Sequence, residues 1–110
     1  MIDLTQFRSD IVRPILEKLD LWSGAAENLL VGTSLVESGL FYVRQLRGGP
    51  ALGFFQMEPA THDDIWRNYL AYRGDLRDRV EQLFGWRGDV PNPVARAKQL
   101  VWNAGYAAVM

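Results

Sequence analysis

Helix punctuation limits what this chain can become. Asp3, Ser23, Pro59, Asp75 and the pair Asn92-Pro93 each precede apolar residues that recur at helical spacing, and each is a residue type that starts helices. Asp3 with Gln6 reads as a capping box, and Leu4, Phe7, Ile11, Ile15 and Leu19 predict a first amphipathic helix to about Leu21, kinked at Pro14. Ser23 caps a second from about residue 24 to 38, with Leu29, Leu30, Thr33 and Val36 facing inward and Gly39 as its left-handed stop. Pro59 opens a third, running to about Arg73, with Asp63 and Asp64 near its positive end and Ile65, Tyr69 and Tyr72 on one face. Asp75 caps a fourth that ends at Gly85. Asn92-Pro93 opens a fifth that continues to the terminus through Val94, Ala97, Val101, Gly105 and Ala108.

One stretch breaks this rhythm. Between Leu40 and Met57, the short β-prone runs Phe41-Tyr42-Val43 and Phe54-Phe55 flank Gly48-Gly49-Pro50, which should turn the chain back. The expected fold is a mostly helical α+β domain over residues 1–110, with a small β-loop between the second and third helices. A chain of 110 residues with 48% apolar content buries roughly two thirds of its unfolded surface, enough for one core without a disulfide or a metal. No cofactor is called for. Having no Cys excludes thiol catalysis and zinc knuckles, and a net charge of -1 argues against a general nucleic-acid binder. Met1-Ile2-Asp3 does not open a secretory signal, and no apolar run reaches the roughly 18 residues of a membrane span. The expectation is a soluble product without an address of its own.

Chemistry concentrates in Val36-Glu37-Ser38-Gly39 and in Gly53-Phe54-Phe55-Gln56-Met57-Glu58-Pro59-Ala60-Thr61. A carboxylate at a helix end that faces an aromatic loop would be desolvated, which favours its protonated form and suits a general acid. Aromatic residues around it also suit a saccharide, whose rings stack and whose hydroxyls need amide and carboxylate partners such as Gln56.

Glu37-Ser38 followed about sixteen residues later by Gly53-Phe-Phe-Gln56-Met-Glu-Pro59-Ala60-Thr61 resembles the lytic transglycosylase domain of the lysozyme-like superfamily. In that family a Glu-Ser pair precedes Gly-Leu-Met-Gln, two apolar residues and Pro-Ala-Thr. Phe54 and Phe55 replace Leu and Met here, and Glu58 stands where an apolar residue is usual. Trp102-Asn103-Ala104-Gly105, with Tyr106 after it, is similar to a late helix motif of the same family, while the intervening Asn-containing motif is not found between Asp75 and Pro91. The chain stops at Met110 inside an apolar helix without a cap, so a further C-terminal segment is an expectation.

The resemblance implies cleavage of the β-1,4 bond between N-acetylmuramic acid and N-acetylglucosamine in bacterial peptidoglycan. Glu37 would be the single acid and base, Ser38 and Gln56 would organise the site and contact substrate, and Asn103 or Tyr106 would add the opposite wall. The partner is the peptidoglycan glycan strand, with no nucleic acid and no stable membrane insertion. With no signal peptide, the resemblance suits a phage-encoded lysin, made in the host cytoplasm or carried in a virion and acting at the cell wall.

Three alternatives stand beside this reading. A hydrolytic muramidase would need a second carboxylate about 5 to 9.5 Å away, for which Glu58, Asp63 and Asp64 are the candidates. A chitin-like substrate is the second, and a non-catalytic virion or wall-binding protein on the same scaffold is the third. Glu58 also reads as a helix cap beside Pro59, and His62 as a solvated first-turn residue. The four Trp residues read mostly as packing. Arg73, Arg77, Arg79 and Arg87, alternating with Asp75, Asp78 and Asp89, read as a solvated, charge-balanced face.

Overall fold

A computed structural model of the chain describes residues 1–85 and 92–110. The described residues are mostly helical, as expected. Helix α1 (Leu4–Gln6) starts under Asp3, whose carboxylate accepts the Gln6 N–H at 2.9 Å. The backbone then widens into a π-helical stretch, Phe7–Val12, before α2 (Arg13–Lys18). Pro14 accounts for the widening, because it offers no N–H to Asp10 and its ring would strike that carbonyl in a regular helix. With Arg13 N–H reaching back to the Arg8 carbonyl, the wider turn moves the obstacle aside. The expected kink is thus a change of helical pitch.

Helix α3 (Gly24–Glu37) begins under Ser23, whose hydroxyl accepts the Ala26 N–H at 3.0 Å. Its inward face departs in part from the expected apolar stripe, of which Leu30 does pack against the core. Leu29 is 69% exposed and Val36 85%, whereas Glu27, Val31 and Ser34 are buried. Polar satisfaction explains the rotation. The Glu27 carboxylate accepts hydrogen bonds from Arg13 at 2.6 Å, Arg8 at 2.8 Å and the Trp22 indole at 3.1 Å. The Arg13 guanidinium, aided by Arg8 and Trp22, holds the Glu27 carboxyl well below the usual carboxylate range. Ser34 returns its hydroxyl to its own helix, donating to the Val31 carbonyl at 2.7 Å.

Residues 40–57 contain two isolated antiparallel bridges, Arg44 with Leu52 and Leu52 with Met57, and no longer strand. A 3₁₀ turn, Leu46–Gly48, reverses the chain near the expected Gly-Gly-Pro. Helix α4 (Pro59–Asn68) and a 3₁₀ turn, Leu70–Tyr72, replace the single third helix. Their inward residues are His62, Trp66 and Leu70, spaced by four. Tyr69 and Tyr72, expected on the buried face, are exposed. Glu58 does hold the N-cap position, but its side chain makes no capping bond.

Helix α5 (Gly74–Leu83) has Asp75 in its first turn rather than at its cap. Helix α6 (Pro93–Trp102) begins as expected, with Asn92 accepting the Ala95 N–H at 2.9 Å. It does not run to the terminus. At Asn103 the backbone leaves the helical region (φ -108, ψ 89), and the side chain caps a new helix, α7 (Ala104–Val109), by accepting the Tyr106 N–H at 3.0 Å. Trp86, Arg87 and Asp89 lie outside the described residues, as does part of the segment searched for the intervening motif. Among the described residues, no helix is long and apolar enough to cross a membrane.

Helix α7 is the wedge between two apolar clusters. Tyr106 and Ala107 pack with Leu19, Trp66, Leu70, Val80 and Leu100. Ala108 packs with Phe7, Val12, Ile15, Leu16, Val31 and Leu40. Phe55, Leu83, Phe84 and Val109 touch both clusters and join them into one core.

Gly53 lets the 40–57 segment seat against this wedge. A Cβ at that position would overlap the Leu100 carbonyl oxygen, and the backbone is left-handed there (φ +76). Gly53→Ala is therefore expected to lower stability by about 2–4 kcal/mol, from backbone strain and the forced separation of loop and helix. Urea denaturation of the two proteins checks this, and an unchanged midpoint would contradict the packing described.

Candidate active site

Glu37 is the last residue of α3, and its side chain is exposed to water. The desolvation expected for it is not found. Val36 and Phe41 stand beside it in sequence, 85% and 73% exposed, so this end of the helix carries unburied apolar surface. The Tyr42 hydroxyl donates to the Glu37 carbonyl at 3.0 Å and closes the chain back onto the helix end. Gly39 adopts φ +61, and a Cβ there would come 3.1 Å from the Phe41 ring. The ring therefore lies close over the helix stop.

Ser38 joins the two halves of the motif. It is buried, and its hydroxyl donates to the Phe54 carbonyl at 2.7 Å while accepting the Leu40 N–H at 3.1 Å. This position corrects the expectation that Ser38 contacts substrate. It acts instead as a tie between the helix end bearing Glu37 and the loop bearing Gln56.

That loop is a tight four-residue turn. Leu52 and Met57 exchange backbone hydrogen bonds at 2.9 and 3.0 Å, and the Gln56 N–H donates to the Gly53 carbonyl at 3.0 Å inside them. Gln56 has left-handed backbone (φ +50), which is uncommon outside glycine. Its side-chain amide offsets that strain by donating to the same Gly53 carbonyl at 2.8 Å. One amide N–H of Gln56 is thus committed to the loop itself. Phe54 and Phe55, the departures from the resembled pattern, both turn toward the buried Phe7, with ring centroids 5.9 and 6.3 Å away. These aromatic rings anchor the loop to the core, which removes them from the expected sugar-facing set.

Asn103 and Tyr106 were expected on an opposite wall, and Tyr106 is not on one. It is fully buried. Trp66 donates its indole N–H to the Tyr106 oxygen at 2.7 Å, and an indole nitrogen can only donate. The Tyr106 hydroxyl hydrogen is therefore left for His62 Nε2, 2.6 Å away. His62 Nδ1 then carries its proton toward Asp63 Oδ1 at 3.1 Å. Asp63, His62 and Tyr106 form a chain with the connectivity of a nucleophilic triad, but burial pushes the Tyr106 hydroxyl well above its ordinary value and closes it to any substrate. The chain clasps α4 to α7. Asn103 is half-buried with its side-chain oxygen used as the helix cap, so it too is structural in this arrangement.

The expectation of a solvated His62 fails for the same reason, since the ring is needed as an acceptor inside the core. Glu27, Ser34, His62 and Gln99 are buried polar residues that apolar spacing does not point to. The spacing of four between His62 and Trp66, both able to meet one buried hydroxyl, was a usable signal. For Glu27 the signal was weaker, because its partners Arg8 and Arg13 lie on another helical segment. Among the described residues, no cluster of three or more His, Asp or Glu could share a metal ion. The chain matches no family model, and no match is found among curated proteins or solved structures.

Burial lowers the His62 pKa below its ordinary value of 6.5, outweighing the Asp63 carboxylate that opposes the shift. Below about pH 6.5 the unfolded chain therefore takes up a proton that the folded protein resists, and stability falls as pH falls. The slope is expected to approach at most 1.4 kcal/mol per pH unit, roughly one proton's worth. Tyr106→Phe removes a partner from both His62 and Trp66 and is expected to cost about 1–3 kcal/mol at pH 7.5. Denaturation midpoints between pH 7.5 and 5 check both statements, with His62→Gln expected to flatten the slope.

Proposed function

We propose that the chain is a peptidoglycan-cleaving glycosidase on a lysozyme-like scaffold, with Glu37 as its general acid and base. The observation that carries this reading is the Ser38 hydroxyl bound to the Phe54 carbonyl at 2.7 Å. Two motifs sixteen residues apart in the chain are thereby fixed side by side. The Glu37 carboxylate is free to meet a glycan, and the exposed Phe41 ring near the same helix end offers a face on which a sugar ring can stack.

The proposed reaction needs one carboxyl group. Protonated Glu37 gives its hydrogen to the glycosidic oxygen as the C1–O bond breaks. The muramic 6-hydroxyl oxygen then bonds to C1, and its hydrogen returns to the Glu37 carboxylate. The product is a 1,6-anhydro ring, and no water is consumed. In this reading the bound glycan itself excludes water from the exposed Glu37 side chain as it closes over the helix end.

A second reading has its own observation. Gln56, Asn103 and Tyr106 all spend polar groups inside the protein, and Glu37 is solvated, which fits a scaffold that holds glycan without cutting it. A hydrolytic outcome would instead recruit a second carboxylate. Glu58, exposed and without a capping bond, is the candidate nearest in sequence to the Gln56 turn.

Digestion of purified sacculi separates these readings. Anhydro-ended muropeptides are expected, and reducing-end products, heavier by one water, would assign hydrolysis. Glu37→Gln is expected to lower turnover by about 10²- to 10⁴-fold while the melting temperature stays unchanged, because the side chain is exposed. A wild-type protein that sediments with sacculi and releases nothing would establish the non-catalytic reading. A well-folded Glu37→Gln protein with more than about a tenth of wild-type activity would remove Glu37 from the role.

A further inference from the structure

A concave site that includes neither Glu37 nor Gln56 lies between α4, α5 and α6. It encloses about 270 Å³ and is lined by Arg67, Arg77 and Arg96 together with Asp63, Glu81 and Trp66. One water in the liquid takes up roughly 30 Å³, so the space admits a polyatomic ion with room beside it. Among the described residues, three guanidinium groups against two carboxylates leave the lining with an excess of one positive charge.

The way these charges are paired matters more than their sum. Asp63 is 3.1 Å from the His62 ring and belongs to the buried clasp. Among the described residues, Arg77 has only a long contact with Asp78, at 3.7 Å. Neither Arg67 nor Arg96 enters any ion pair among the described residues, although two carboxylates share their cavity. Arg96 lies with its guanidinium carbon 4.5 Å from the Trp66 ring centroid. Stacking uses the face of a guanidinium and leaves its donors pointing outward in the plane, where a planar or tetrahedral oxyanion can take two at once. Its Nε is buried and has no hydrogen-bond partner among the described residues, an uncommon state for a buried donor. Trp66 cannot shift away, because its indole is tied to Tyr106.

We propose that this cavity binds a small oxyanion, a carboxylate or a phosphate group, held between Arg67 and the Trp66-stacked Arg96. The site goes beyond the glycosidase reading and does not depend on Glu37. It assigns Arg67 of α4 and Arg96 of α6 to recognition, and it brings beside them Arg77, which the sequence reads as part of a solvated, charge-balanced face.

The test is a titration followed by ¹H–¹⁵N spectra that include the arginine Nε–H signals. Sodium phosphate and sodium propionate are added separately to the protein at constant ionic strength, with sodium chloride as the control. At least one anion is expected to shift the Arg67 and Arg96 signals saturably, with a Kd below about 10 mM, while Arg47 and Arg79 stay still. Response to phosphate alone, to propionate alone or to both tells which oxyanion the site accepts. Arg67→Gln, an exposed change that should fold normally, is expected to weaken binding at least about fivefold, and Arg96→Lys, which keeps the charge and loses the fork, should do the same. Shifts that grow linearly with both anions, that appear equally at Arg47 and Arg79, or that survive both substitutions would overturn the proposal. The wild-type titration decides the matter even if a variant fails to fold.

Discussion

A tyrosine hydroxyl sits at the centre of this protein, and the need to satisfy it orders much of what surrounds it. Tyr106 is fully buried, so its oxygen has no water to bond and must find protein partners or forfeit a kilocalorie-scale penalty. Trp66 and His62 supply them from one face of α4. That requirement fixes the rotation of α4 against α7, and α7 in turn separates the two apolar clusters. Phe84 adds an edge-to-face ring contact to Tyr106 at 5.2 Å, which brings the end of α5 onto the same residue. The Trp66 indole, held in this way, is also the platform on which Arg96 lies. The proposed oxyanion site is thus built on the outer side of the clasp.

The other organising polar group is Glu27. A carboxylate this enclosed is stable only with its charge matched, and Arg13, Arg8 and Trp22 together provide the match. Holding Glu27 inward turns α3 about its axis and leaves Leu29 and Val36 facing water. It also sets which way the last residue of the helix points. Glu37 lies ten positions after Glu27, about 2.8 turns, which carries it roughly 80° around the helix from the buried Glu27, and its side chain is exposed.

These two clasps leave one connection to bring the motif together. Ser38 bonds the Phe54 carbonyl, Gly53 sits against the Leu100 carbonyl, and the phenyl rings of Phe54 and Phe55 meet Phe7. The 40–57 segment therefore has few backbone ladder bonds of its own and is held mainly by side-chain anchors at its end. In the proposed function, this rigidity is what a single acid needs, since a lone carboxylate acts only if the sugar beside it is held in register. The Phe-Phe departure from the resembled pattern has a structural role here, in the core rather than in a groove.

Element positions were legible in the sequence wherever a local cause decides them. The Asp3, Ser23 and Asn92 side chains cap the helices expected of them, because a cap bond spans three residues and needs nothing from the rest of the fold. Pro14 marked the irregularity in the first helix for a similarly local reason. What the sequence could not decide was which face turned inward. Apolar spacing placed Leu29 and Val36 inside α3 and Tyr69 and Tyr72 inside the helix after Pro59, while the tertiary structure buried Glu27, Ser34 and His62 instead. Burial of a polar group is favourable only when its partners arrive, and those partners come from other elements: Arg13 for Glu27 and Tyr106, forty-four residues away, for His62. The break at Asn103 belongs to the same class. Its capping preference is local, but whether it caps a new helix or rides within a longer one depends on Tyr106 reaching the core. For the candidate site, the sequence determined that Glu37 sits in the last turn of a helix, while tertiary structure alone folded Gly53 to Gln56 into a tight turn and joined it to that helix end through the buried hydroxyl of Ser38.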